Sequence, residues 1–238
     1  MRALFLQHDH VSPPGPVADA FAAHGFEIVE QVVVPGENFE TPNVTFNHPN
    51  PTDFDVLVPM GSPWGAWDDA CIGNWLTPEL EWLRTAQAAD VPIFGICFGG
   101  QALARALGGS VAPGPKAEIG WHVIQSDDPE FIPHGPWFQW HYDRWQLPPG
   151  ATEIARSAVA SQAYVIGRSL GLQFHPEVLS GTLETWLATD GKPALIADGQ
   201  DPDTLIAMCK AFDADAAQRA HNLVDQFLSR VARITAVK

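Results

Sequence analysis

The feature that most constrains this 238-residue chain is an apolar run that ends in a glycine-rich segment with one cysteine. Residues 91–94 are typical of a strand, and Gly95-Ile-Cys-Phe-Gly-Gly-Gln101 leads from them into a helical pattern over residues 102–107. Such a sharp turn needs positive φ or close backbone approach, which glycine tolerates best. Because a helix N-terminus carries unpaired N–H groups, it stabilises a thiolate and an oxyanion. The segment therefore predicts Cys97 as a nucleophile, with a buried structural cysteine as the alternative.

A second apolar run supplies the base that such a thiol requires. Gly171-Leu-Gln-Phe174 is followed directly by His175-Pro-Glu177. Side chains two residues apart on an extended backbone point to the same face, so Glu177 can orient His175 while the imidazole faces a thiol. A lone histidine is more often structural, but the combination predicts a triad of Cys97, His175 and Glu177.

The rest of the chain indicates the fold class. Strand patterns over 3–6, 27–34 and 55–59 alternate with helical patterns over 15–25 and 78–89. This alternation predicts an α/β fold, with a largely parallel central sheet, helices on both faces, and ligands at the carboxyl ends of the strands. Short alternating runs within 110–173 predict a small antiparallel extension. Helical patterns over 183–187, 203–212 and 214–231 follow without a linker, so we expect one domain over residues 1–238.

Composition excludes several classes of partner. The chain has 13 Lys and Arg against 28 Asp and Glu, a net charge of −15, so we expect no nucleic acid partner. No apolar stretch approaches the ~20 residues that span a bilayer, and residues 1–6 are too short for a secretion signal. Three cysteines do not make a disulfide framework, so we expect a cytoplasmic protein. No spacing is typical of a metal site or a phosphate loop, so no metal or cofactor is expected.

Three motifs in order resemble the class I glutamine amidotransferases and the related γ-glutamyl hydrolases, which use a Cys-His-Glu triad. They are Met60-Gly-Ser-Pro63, Gly95-Ile-Cys-Phe-Gly-Gly-Gln101 and Gln173-Phe-His-Pro-Glu-Val178. The chain looks most similar to stand-alone members related to the glutaminase domain of GMP synthase. The resemblance extends to about residue 187 and implies a flavodoxin-like fold, with glutamine or a γ-glutamyl small molecule as substrate.

The resemblance also implies which residues bind substrate. It places the oxyanion hole at the backbone N–H groups of Gly61 and Phe98. Gln101 matches a position that contacts the α-amino-acid end of the substrate, with helix capping as the alternative. The segment 140–143 matches one whose backbone meets the substrate, which makes Tyr142 and Asp143 candidates.

Three functions remain open. The first is a glutaminase that passes ammonia to a separate synthetase subunit, and this is the one we favour. The second is a hydrolase of γ-glutamyl amides or peptides that needs no partner. Trp140 and Tyr142 stand where the family usually has small residues, which favours an apolar substituent on the substrate. The third is an inactive binding or regulatory subunit, which the intact triad disfavours.

Overall fold

The computed structural model describes residues 1–234, and its first elements form a small parallel sheet. Strand β1 (Arg2–Gln7) leads through helix α1 (Gly15–Ala23) to β2 (Glu27–Val32), and β3 (Val56–Pro59) follows. The strand order is β2-β1-β3, with every pair parallel. Because β1 is central and covered on both faces, its residues from Ala3 onward are buried. The predicted strands and first helix are confirmed here to within two residues at each end.

The nucleophile segment lies beside this sheet. Helix α2 (Asp69–Ala88) leads to β4 (Phe94–Ile96), and α3 (Phe98–Ala106) follows directly. A single parallel bridge between Leu57 and Ile93 places β4 next to β3. The predicted strand 91–94 is displaced to residues 94–96, because only Phe94–Ile96 pair continuously with a neighbouring strand, while Ile93 makes an isolated bridge to Leu57. Helix α2 begins nine residues before the predicted start and contains Pro78, since an apolar face that includes Trp75 is buried on the sheet.

The second half of the chain forms a sheet larger than predicted. It contains β5 (Ser110–Ser126), β6 (Gly135–Gln146), β7 (Thr152–Arg156), β8 (Ser161–Ile166) and β9 (Ser169–Leu172). The order is β4-β9-β8-β7-β5-β6, in which only β4 and β9 pair in parallel. The expectation of a largely parallel sheet with a small extension was wrong in these proportions. The Pro and Gly residues that suggested short strands lie at an irregularity of β5 between Pro113 and Glu118, and β5 continues through it.

Three helices follow the large sheet. They are α4 (Ser180–Trp186), α5 (Lys192–Ala197) and α6 (Pro202–Gln226). Helix α6 is one continuous helix where the sequence predicts two. The polar residue at the expected break is Asp213, which hydrogen-bonds to another helix and does not interrupt α6. The Asp213 carboxylate accepts hydrogen bonds from the backbone N–H and the hydroxyl of Ser180, which ties α6 to α4.

The apolar stripe at the end of the chain packs on its own fold. Leu223, Phe227 and Val231 are buried in the core cluster that contains β1 and β4 residues. The Phe227 and Phe94 rings lie 5.0 Å apart, edge to face. No helix within residues 1–234 combines the length and the apolar character that crossing a membrane requires.

Candidate active site

Cys97 lies at the sharp turn between β4 and α3. Its φ of 48° and ψ of −105° are strained for any residue other than glycine. The neighbouring glycines serve close packing instead: a Cβ on Gly99 would lie 2.0 Å from the Pro59 carbonyl oxygen, and one on Gly100 would lie 2.7 Å from that of Leu172. Cys97 is only 5% exposed, so its thiol lies at the base of a pocket.

His175 and Glu177 form a buried pair beside this thiol. His175 follows β9, and its backbone N–H donates to the Phe138 carbonyl at 2.8 Å. Its Nδ1 lies 2.7 Å from Glu177 Oε1, and both side chains are at most 4% exposed. The other ring nitrogen, Nε2, has no hydrogen-bond partner among the described residues, and His175 lines the same pocket as Cys97. The geometry therefore brings the three predicted triad residues together.

The charge state of His175 follows from its neighbours. Burial disfavours the imidazolium, but the Glu177 carboxylate and the Cys97 thiol outweigh burial and raise the pKa of His175 well above its usual range. The raised pKa favours the protonated form of the ring. An imidazolium that faces a cysteine stabilises the thiolate, which is the nucleophilic form.

The two backbone segments predicted to form an oxyanion hole also meet at this pocket. Phe98 is the first residue of α3, so its N–H has no acceptor within the helix. Gly61 follows Met60, whose carbonyl accepts from the Gly99 N–H at 2.9 Å. A Cβ on Gly61 would lie 3.0 Å from His175 Cε1, so a side chain here would displace the imidazole.

Gln101 links two walls of the pocket. Its side-chain Nε2 lies 3.2 Å from Gln173 Oε1 and 3.4 Å from the Asp143 carbonyl oxygen. The amide therefore joins α3 to β6, and the helix-capping alternative is wrong. Asp143 lines the pocket, and burial raises the pKa of its carboxyl group. Tyr142 is 47% exposed and lies at the rim.

Trp186 is a pocket residue that the sequence did not single out. Its ring lies edge-on to His175, with centroids 5.3 Å apart, and edge-on to Trp140 at 5.7 Å. The Trp186 Nε1–H donates to Ser12 Oγ at 3.1 Å, and the Ser12 hydroxyl donates to Asp9 at 2.9 Å. No sequence signal pointed to this contact, because it depends on how α4 folds back over β6.

The lining of the pocket is acidic. The pocket has a volume of about 180 Å³, and Asp9, Asp143 and Asp190 line it without any Lys or Arg from the part of the chain described. Burial raises the pKa of Asp9, while burial and the charges of Asp9 and Glu40 raise that of Asp190. An acidic lining of this kind favours a substrate that presents a positive charge.

Comparison with known proteins identifies the family. The model of the family described as "Glutamine amidotransferase class-I" matches residues 71–191, which include all three triad residues. The chain belongs to the class I glutamine amidotransferases. The predicted resemblance is thereby confirmed, and the fold is that of the family. Gly61 lies outside the matched range.

The curated relatives include GMP synthases, and the chain spans only part of their length. It is 34% identical over 139 residues to the glutamine-hydrolyzing GMP synthase subunit of Ignicoccus hospitalis, and the match covers 55% of this chain and 70% of that protein. It is 46% identical over 97 residues to the GMP synthase of Thermomicrobium roseum, of which it spans only 18%. A γ-glutamyl-L-1-hydroxyisopropylamide hydrolase from a Pseudomonas species is 30% identical over 139 residues, 51% of this chain and 47% of the relative.

A solved structure extends this similarity along nearly the whole chain. The crystal structure of a glutamine amidotransferase from Thermotoga maritima superposes with a TM-score of 0.81. The match is 26% identical in sequence and covers 96% of this chain and 98% of the other. The fold, including the large mixed sheet, is therefore shared with another glutamine amidotransferase.

Proposed function

We propose that this class I glutamine amidotransferase hydrolyses the side-chain amide of glutamine through a γ-glutamyl thioester on Cys97. The observation that carries the proposal is the arrangement of His175. One ring nitrogen is held by Glu177, while the other has no protein partner among the described residues and belongs to the same pocket as the thiol. A base oriented in this way can exchange a proton with the nucleophile and the leaving group.

In the first half of the reaction, the Cys97 thiolate attacks the γ-carboxamide carbon and a C–S bond forms. The amide oxygen becomes an oxyanion, which the N–H groups of Gly61 and Phe98 stabilise. The imidazolium of His175 then gives its proton to the amide nitrogen as the C–N bond breaks, and ammonia leaves.

In the second half, water enters and neutral His175 takes one of its protons. The hydroxide attacks the thioester carbon, and the C–S bond breaks to release glutamate and regenerate the thiolate and the imidazolium. Glu177 keeps Nδ1 protonated and the ring oriented throughout, without itself moving a proton.

The walls of the pocket support a position for the rest of the substrate. We place the α-ammonium group of glutamine at the acidic lining, where the Asp143 carboxylate lies and Tyr142 forms the rim. Gln101 supports this wall through the Asp143 carbonyl. The released ammonia would pass to a separate synthetase subunit in the cytoplasm, a role supported by the similarity to the Ignicoccus GMP synthase subunit.

A second candidate is the hydrolysis of γ-glutamyl amides without a partner. It is favoured by the aromatic walls of the pocket, to which Trp64, Trp140 and Trp186 contribute. Such walls would stabilise an apolar substituent on the amide nitrogen. The similarity to the Pseudomonas hydrolase supports the same candidate. A binding protein without activity is disfavoured, since the triad is assembled.

The experiment that tests the proposal measures glutamate release by the purified chain from glutamine and from a panel of γ-glutamyl amines and peptides. The amidotransferase function predicts release from glutamine, slow in isolation and faster when an ammonia-accepting synthetase is added. Faster release from bulky amides than from glutamine would select the second candidate. No release from any member of the panel would contradict both.

A further inference from the structure

A second buried histidine–carboxylate pair lies behind the active site. His8, directly after β1, and Glu79, on α2, both have fully buried side chains. The Nε2 of His8 lies 3.0 Å and 3.1 Å from the two Glu79 carboxylate oxygens. Its Nδ1 lies 3.0 Å from the carbonyl oxygen of Gly61, in the predicted oxyanion segment. The mechanism above makes no use of this pair.

The contacts define the protonation of His8. A carbonyl oxygen can only accept a hydrogen bond, so Nδ1 must carry a proton to donate to Gly61. An ionised Glu79 likewise accepts at Nε2, and the ring is therefore an imidazolium. The charged and titratable groups nearby are Glu79, Asp9 and His48, whose Nε2 lies 3.6 Å from Glu79 Oε2. Burial opposes both charges. The Glu79 carboxylate nevertheless raises the pKa of His8, and His8 and His48 lower the pKa of Glu79 to about 2.

His8 also contacts the other predicted oxyanion segment. Its ring packs against the side chain of Phe98, with centroids 4.5 Å apart, and stacks on Trp75 at 5.3 Å. Phe98 is the residue directly after the nucleophile. One side chain thus contacts both Gly61 and Phe98, the two residues whose N–H groups are assigned to the oxyanion.

The hydrogen bond to Gly61 fixes a peptide plane. In a trans peptide the carbonyl and the following N–H point in opposite directions, so holding the Gly61 carbonyl also holds the Gly61–Ser62 peptide. The preceding peptide is held by the bond from the Gly99 N–H to the Met60 carbonyl at 2.9 Å. Both peptides of Gly61 are therefore tied, the preceding one through the Met60 carbonyl and the following one through His8.

We propose that His8, held as an imidazolium by Glu79, is a positioning residue that fixes the Gly61 and Phe98 segments in the geometry that stabilises the oxyanion. This inference rests on the proposed function, because it concerns the same oxyanion. His8 touches no substrate and acts only through the backbone that it orients.

The test compares two substitutions of His8. Asparagine keeps a donor close to the position of Nδ1, whereas leucine removes it. The measurements are kcat and KM for the best substrate of the wild-type chain, together with the rate at which iodoacetamide alkylates Cys97. Alkylation needs the thiolate but no oxyanion hole, so it separates positioning from general damage. We expect His8→Leu to lower kcat by roughly 10- to 100-fold with KM and alkylation nearly unchanged, and His8→Asn to recover part of the loss.

Two further histidines provide matched controls. His48→Asn removes a buried histidine that contacts the same carboxylate but makes no hydrogen bond to Gly61. His24→Asn removes a histidine that pairs with Asp225 away from the pocket. We expect both variants to keep kcat within about twofold of the wild-type value, because neither side chain makes a hydrogen bond to Gly61.

An unchanged kcat in folded His8→Leu would overturn the inference, and so would a parallel loss of kcat and alkylation. Nitrogen-15 NMR of the wild-type chain gives a readout that does not depend on folding of a variant. It should show His8 with protons on both nitrogens at neutral pH, and a neutral ring would overturn the inference. If the wild-type chain releases no glutamate from any substrate, the proposed function fails and the positioning role fails with it, whatever the NMR result.

Discussion

Two of the buried histidine–carboxylate pairs within residues 1–234, His175 with Glu177 and His8 with Glu79, differ in what the second ring nitrogen meets. In His175 and Glu177 that nitrogen, Nε2, has no hydrogen-bond partner in the described part of the chain and belongs to a pocket that also exposes Cys97. In His8 and Glu79 the corresponding nitrogen, Nδ1, is occupied by the Gly61 carbonyl. The same two side-chain types thus serve proton transfer in one place and rigidity in the other. A buried histidine with a carboxylate partner is therefore a poor indicator of catalysis. A ring nitrogen without a hydrogen-bond partner is a better indicator.

The largest expected effect comes from removing the thiol of Cys97, the nucleophile beside the His175–Glu177 pair. Cys97→Ser should abolish glutamate release while the fold stays intact, since the exchange replaces sulfur by oxygen without a cavity. The measurement is turnover, with circular dichroism as the check on folding. Cys71→Ser is the matched control, because Cys71 is a partly exposed free cysteine on α2. An equal loss in the control would point to another nucleophile.

The two carboxylates should respond differently to the same substitution. Glu177→Gln should lower turnover by about 10- to 1,000-fold, because the imidazole loses its orientation and the stabilisation of its charge. Glu79→Gln should lower turnover less, since the glutamine oxygen can still accept from His8 Nε2 and His8 can still donate to the Gly61 carbonyl. The measurement is the turnover of both variants at saturating substrate concentration. An unchanged rate in Glu177→Gln would remove Glu177 from the triad.

The pH dependence of stability tests whether His8 and Glu79 form an ion pair. The pKa of Glu79 is lowered from 4.5 to about 2, so its stabilising effect is present above pH 4.5 and is lost as the pH falls toward 2. The pKa of His8 is raised above 6.5, so its effect is present below pH 6.5 and is lost as the pH rises through the higher folded value. Breaking a buried pair costs about 3–5 kcal/mol. The melting temperatures of wild type and Glu79→Gln should therefore differ most between pH 4.5 and 6.5.

A difference in melting temperature that stays constant across pH would contradict the ion pair between His8 and Glu79. The His175 pair titrates in both proteins and so drops out of the comparison. The free energies of unfolding in urea at pH 5.5 and pH 9 provide a second measurement of the same difference.

The smallest expected effect concerns the pocket wall. Replacing Trp140 and Tyr142 by small residues should lower the cleavage of bulky γ-glutamyl amides relative to glutamine by roughly tenfold, which corresponds to an apolar contact of ~1–3 kcal/mol. The measurement is the ratio of kcat/KM for the two substrate types. A ratio that does not change would leave the partner-independent hydrolase without its structural support, and the ammonia-donating function would stand.

Each half of the proposed triad could be predicted from the sequence because its geometry is local, whereas the meeting of Cys97 and His175 was inferred from the combination of motifs. A strand-to-helix turn fixes Cys97, and two residues of separation fix Glu177 against His175. The pair of His8 and Glu79 could not, because 71 residues separate its members and only the packing of α2 against β1 brings them together. The position of Trp186 in the pocket could not be predicted for the same reason, because its contacts depend on how α4 packs over β6. The size of the antiparallel sheet was underestimated because Pro113, at the irregularity of β5, resembles a strand end.

The central claim is that Cys97, paired with His175, carries a γ-glutamyl thioester. Mass spectrometry of the intact chain, quenched with acid during turnover of glutamine, tests it most directly. We expect an added mass of one glutamyl group, located on the peptide that contains Cys97 and absent from Cys97→Ser. Glutamate release without any adduct on Cys97, or an adduct on Cys71 or Cys209, would contradict it.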